Sequence, residues 1–172
     1  MLTGLILMKV LLPSFALAAI LVGGCASPEP MPQFVVFDTV SVNMAGLASA
    51  ESRTTMDGDV RQINVTLITD HREKIALSFS SNPDQPERKL RSEVTETVPL
   101  KIRGAQEASV KFLKVERFTG QSPQAAIQIR YDGGTATGQV TAGEELSEEA
   151  RKRIAAILQK ISLRFDHPPL HG

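Results

Sequence analysis

The chemistry available to this 172-residue sequence rests on few side chains. There is one thiol, Cys25, and there are three imidazoles, His71, His167 and His171. Nucleophilic catalysis needs a base oriented beside its nucleophile. No HExxH, GxSxG or CxxC spacing sets up such a pair or a metal site. No catalytic residue, metal ligand set or cofactor is therefore expected. Asp57-Gly58-Asp59 places two carboxylates around a turn, but a calcium loop takes more ligands in a longer pattern. Gly133, Gly134 and Gly138 lack the GxxxxGK[ST] spacing and the following helix of a phosphate cradle, and read as a hairpin with small residues. His167 and His171 share a Pro-rich tail, which reads as solvated rather than chelating. Ser80 to Arg91 is the longest polar stretch of the body. Within it Arg88, Lys89 and Arg91 form a candidate docking loop for a protein or for anionic head groups, against the plainer reading of a solvated loop.

The thiol is the informative residue. Lys9 precedes a short apolar run from Val10 to Val22, and the run stops at Gly23-Gly24-Cys25. A positive charge followed by a short apolar core is the pattern of a secretory signal. The run falls short of the roughly 20 apolar residues that span a bilayer. Val22-Gly23-Gly24-Cys25 closely resembles the lipobox of bacterial lipoprotein precursors: an aliphatic residue three before the cysteine, then two small residues. Gly23 is less usual there than Ala or Ser. The resemblance covers residues 1–25 only. It implies thioether lipidation of Cys25, removal of residues 1–24 as a signal peptide, and an anchor of two or three acyl chains. Each buried methylene adds roughly 0.8 kcal/mol, so such an anchor is practically permanent. Because Ala26 rather than Asp follows, the resemblance further implies the outer membrane, facing the periplasm, with the inner membrane as the alternative. Met8-Lys9 would make a more conventional start than Met1, and translation is expected to begin there.

Composition supports one globular domain behind that anchor. Hydrophobic residues make up 42% and charged residues 22% of the chain, which is globular composition. Nineteen basic and nineteen acidic side chains cancel, leaving no clustered positive field to expect of a nucleic-acid binder. Lipidation of the one cysteine would leave no thiol for a disulfide. Residues 25–33 carry Pro28, Pro30 and Pro32 and read as a tether. Eight extended residues after Cys25 reach roughly 25 Å. Residues 34–172 are expected to form a single domain with a short C-terminal tail.

The elements that position any site read mainly as strands. Phe34 to Val40 is apolar on both faces at its start and is expected to be one well-covered strand. Ile63, Val65 and Leu67 alternate with polar residues, as do Ile75, Leu77 and Phe79, with a polar gap at Thr69–Glu73: a β-hairpin. Val98, Leu100 and Ile102 form a further strand, which Pro99 assigns to an edge or a bulge. Val110–Phe118 is irregular, with a parity change between Phe112 and Val115. Ala125–Tyr131 and Thr135–Thr141 pair around Asp132-Gly133-Gly134. Leu146, Ala150, Ile154, Ile157, Leu158 and Ile161 then fall on one helical face. Ser147 is the expected N-cap, Glu148–Lys152 and Glu149–Arg153 the expected i,i+4 pairs, and Asp166-His167-Pro168-Pro169 the expected stop. The fold class is α+β: an antiparallel sheet of six or seven strands with one C-terminal amphipathic helix of about four turns packed across it.

Three functions follow as expectations. The first is a non-enzymatic accessory or scaffold subunit of a cell-envelope complex, anchored through Cys25 and bound to an envelope protein. The second is a carrier or sensor for a small apolar ligand or lipid, with the helix closing a pocket against the sheet. The third is a hydrolase with a cryptic site. Sugar faces usually stack on Trp or Tyr; the chain has no Trp and only Tyr131, which disfavours glycan recognition.

Overall fold

The computed structural model describes residues 34–82, 92–115 and 122–164. The chain divides into two units, Met1–Pro30 and Met31–Gly172, and every described residue belongs to the second. In order, the elements are β1 (Phe34–Phe37), β2 (Val40–Asn43), β3 (Leu47–Asp57), β4 (Val60–Thr69), β5 (Lys74–Ser80), β6 (Val94–Pro99), β7 (Ala105–Leu113), β8 (Ala125–Tyr131), β9 (Gly134–Thr141), α1 (Glu148–Leu158) and β10 (Ile161–Leu163). Seven strands form one antiparallel sheet in the order β3-β4-β5-β9-β8-β7-β6. Three more form a second antiparallel sheet, β1-β2-β10. The fold is thus mostly antiparallel β with one C-terminal helix, as the periodicity indicates, with a second small sheet that it does not.

Alternation along the strands sorts the large sheet into two faces. Ile63, Val65 and Leu67 of β4, Ile75, Leu77 and Phe79 of β5, and Ile127 and Ile129 of β8 are buried on one face and belong to a single core. Ile154, Ile157 and Leu158 of α1, Val40 and Val42 of β2, and Ile161 and Leu163 of β10 belong to the same core. The side of α1 toward the sheet is therefore packed. Arg153 reaches Glu73 in the β4–β5 turn. Arg151 reaches Glu96 of β6 at 3.7 Å, its guanidinium 5.4 Å from the centre of the Phe112 ring on β7. The helix therefore bridges most of the sheet's width.

Four expectations are corrected. Phe34–Val40 is a hairpin, because Asp38 takes a left-handed φ of 54° and turns the chain. Its first strand is exposed at Phe34 and Val36. The strand around Val98 ends at Pro99, an edge strand as expected, and Leu100 and Ile102 are buried beyond its end. α1 stops at Leu158 with Gln159 as C-cap, so Ile161 belongs to a strand. Ile161 and Leu163 leave the helical period because they pair with β2, where their side chains reach the core. Finally, Arg153 bonds Glu73, whereas Lys152 does bond Glu148, at 2.5 Å. Ser147 caps α1 as expected, accepting from the Ala150 N–H at 3.2 Å.

Candidate functional site: the open face of the seven-stranded sheet

The face away from the helix is hollow and carries both polar and small apolar side chains. Across β4, β5, β9, β8 and β7 one rung reads Asn64, Ser78, Thr137, Gln128 and Ser109. The next reads Thr66, Ala76, Gln139, Ala126 and Lys111. These residues are half-buried although no element among the described residues packs over them as α1 does on the other side. All but Ser109 line a depression of about 1100 Å³ whose rim includes Ser92, Leu113 and Pro123. The described chain leaves β5 at Asn82, whose carbonyl accepts from Thr135 Oγ1 on this face, and resumes at Ser92 on the rim.

Two glycines of β9 let the strands pack closely on the core side of the sheet. Gly138 sits between Leu77 and Ile127 in register, and a Cβ there would come within 2.6 Å of Leu77 Cδ2 and 2.7 Å of the Ala76 carbonyl. Gly134 is likewise closed in by the Tyr131 ring and the Ser80 carbonyl. These glycines serve close packing between strands. The turn expected at Asp132-Gly133 is present, with Gly133 at φ 79°.

The lining of the trough is mixed. Asn64, Thr66, Ser78, Thr137 and Gln139 offer amides and hydroxyls, Ala76, Leu113, Pro123 and Ala126 add apolar surface, and Lys111 adds a cation on the β7 side. The Ser78 hydroxyl accepts from Gln62 Nε2 at 2.7 Å. An amide is no base, so this contact does not activate the hydroxyl as a nucleophile. Such a surface recognises a ligand by many weak, directional bonds.

Two further polar groups hold the frame. Gln124, 2% exposed, accepts from the Leu146 N–H at 2.8 Å and donates to the Glu144 carbonyl at 2.7 Å, fixing the approach to α1. Tyr131 donates to the Ser80 carbonyl at 2.7 Å. Burial pushes its phenol up to about 12, and that hydrogen bond opposes the shift. On the solvent side of α1, the hydrogen bond and charge of Lys152 hold the Glu148 carboxyl below its ordinary value, and Glu148 raises Lys152 in return.

The residues singled out from sequence do not converge. Val22, Gly23, Gly24 and Cys25, the candidate loop residues Arg88, Lys89 and Arg91, and His167 and His171 lie outside the described residues. His71 is exposed in the β4–β5 turn, its N–H donating to Thr69 Oγ1. Asp57-Gly58-Asp59 is the β3–β4 turn, and no cluster of three or more metal-ligating side chains occurs among the described residues. Ile154, Ile157 and Leu158 of α1 belong to the buried core, and the depression lies on the other face of the sheet. The trough itself escaped sequence reading. Its signal is the run of outward positions Asn64 and Thr66 of β4 and Thr137 and Gln139 of β9, where a solvated face would carry Lys and Glu.

No protein-family model, curated protein or solved structure matches this chain.

Proposed function

We propose that this chain is a lipoprotein, anchored through Cys25 to the outer membrane and facing the periplasm. In this reading its domain is a non-enzymatic accessory or scaffold subunit of a cell-envelope complex, and the open sheet face is where its partner is recognised. The observation that carries the anchor is the apolar run ending at Val22-Gly23-Gly24-Cys25. The binding role is supported by a depression of about 1100 Å³ lined by amides, hydroxyls and apolar side chains with Lys111 at one side, which suits recognition of a partner.

Two experiments test the two parts. Cys25→Ser should accumulate as a longer precursor and lose membrane fractionation; a variant processed and retained like wild type removes the anchor. For the binding role, Ser78→Arg and Thr137→Arg put a large cation into the centre of the trough. Crosslinking of the intact lipoprotein in cells, read by mass spectrometry, should lose its envelope-protein adducts in both variants while far-ultraviolet circular dichroism stays unchanged. Adducts that persist in both variants exclude the trough as the seat.

A further inference from the structure

We propose that the outer face of the β1-β2-β10 sheet rests on the anionic surface of the bilayer that holds the Cys25 lipid. This inference rests on the lipoprotein reading above. Phe34 and Val36 are 57% and 59% exposed, while Val35 and Phe37, on the other side of the strand, are half-buried. Among the described strands β1 lies at an edge and is hydrogen-bonded to β2 alone. Its sequence, Phe-Val-Val-Phe, has no charge, proline or bulge to guard that edge. An unguarded apolar edge invites pairing and aggregation unless something covers it.

Two observations identify the cover. The first is chain length. Phe34 lies nine positions after Cys25. At 3.3–3.6 Å per extended residue, β1 can be no more than about 30 Å from the lipidated sulfur. Among the described strands it is held nearest to the membrane along the chain, and a tethered contact needs little intrinsic affinity.

The second is charge. In register, Val36 faces Ser41, which faces Ser162, and Ser162 is bridged to Arg103. Residues in register share a face, so this side runs from Phe34 and Val36 past Ser41, which is buried between its neighbours, and half-buried Ser162 to Arg103, with Arg164 two positions beyond Ser162; its exposed parts are β1 and the two arginines. Arg103 and Arg164 are exposed. No carboxylate occupies a register position on that face; Asp38, in the β1–β2 turn, is paired with Arg61. Apolar side chains that enter the headgroup boundary beside arginines that meet lipid phosphates are the two components of interfacial binding.

The chain has no Trp, so a single introduced indole reports its own surroundings. Full-length lipidated Phe34→Trp protein is purified in detergent and reconstituted into phosphatidylethanolamine/phosphatidylglycerol vesicles, with lipid brominated near the headgroup as quencher. Val94→Trp, on β6 at an edge of the large sheet and 40% exposed, is the comparison. The expected result is a blue shift and loss of most of the emission at position 34, little loss at position 94, and recovery of emission in Arg103→Glu/Arg164→Glu protein or at high salt. Vesicle flotation separates the two ideas. Protein that fails to float defeats the lipoprotein reading and this inference together. Protein that floats with position 34 unquenched overturns this inference alone. An indole shielded from aqueous acrylamide yet unquenched by bromolipid assigns β1 to a second copy or another protein, and quenching equal at both positions means the domain has no preferred face; either result overturns the inference.

Discussion

Arg153 of α1 donates to the carboxylate of Glu73, eighty residues earlier in the chain, and Thr69 Oγ1 donates to the other oxygen of the same carboxylate. The Glu73 side chain is 5% exposed and that of Arg153 is 31% exposed. The acid is thus withdrawn from water by the turn that carries it and neutralised by the helix.

Removing one partner of a buried pair strands the other's charge, at a cost of about 3–5 kcal/mol. Arg153→Met should fall near the lower end of that range, because the guanidinium is partly solvated. Glu73→Gln/Arg153→Met should recover much of the loss, since no charge is left to desolvate. Urea melts of the wild type, both single variants and the double variant close the cycle. A double variant as unstable as Arg153→Met would show that the arginine acts through packing alone.

Leu158 is fully buried and Ile157 is 3% exposed. Ile157→Ala or Leu158→Ala should cost about 2–5 kcal/mol. Lys152, whose side chain is 74% exposed, forms a surface pair with Glu148, and Lys152→Ala should cost well under about 1 kcal/mol. Equal denaturation midpoints for the three variants would show that α1 does not dock on the sheet.

Tyr131 is the chain's one tyrosine, so tyrosinate absorbance reads it alone. Its phenol titrates near 12 in the folded domain, against an unperturbed 10.0. The folded state keeps the proton that the unfolded state releases, so its stability is level below pH 10 and declines as pH rises from 10 towards 12. A folded domain whose tyrosinate appears with the midpoint it has in urea would contradict this. Tyr131→Phe should remove the pH effect and leave the Ser80 carbonyl without its donor.

Gly138→Ala puts a methyl group against Leu77 Cδ2 and the Ala76 carbonyl. Overpacking of this kind costs typically 1–3 kcal/mol. The open-ended position Gly143, where a Cβ meets nothing within 4 Å, is the control. A thermal melt that finds the two variants equal would show that the strands spread to admit the methyl.

Much of the large sheet is legible because burial on one face imposes period two. Ile63–Leu67, Ile75–Phe79 and Ala125–Tyr131 carry that period, and the Asp132-Gly133 turn fixes one register. β3 is not legible: Ala48 to Asp57 is exposed or half-buried throughout, so no face selects apolar residues. β10 hides in the helical period because Ile161 lies one turn beyond Ile157, and period alone does not separate a helix that reaches Ile161 from one that stops three residues earlier, at Leu158. The trough was invisible for a different reason. A floor of amides and hydroxyls becomes a site only when five strands align, and strand order is not a property of any local stretch. What the lipobox resemblance implies for Cys25 is wholly local, and it lies outside the described residues.

The small sheet joins the first and last strands of the described residues. β2 is flanked by β1, next to it in sequence, and by β10, which arrives only after every other element has been made. Val42 pairs with Ile161 and Val40 with Leu163. A chain growing from its N-terminus therefore holds a finished β1–β2 hairpin with one bare edge and no core to receive Val40 and Val42. Isolated two-stranded hairpins are marginal in water, and pairings so distant in sequence form slowly. The small sheet therefore lacks its third strand, and Val40 and Val42 lack these partners, until Ile161–Leu163 has been made.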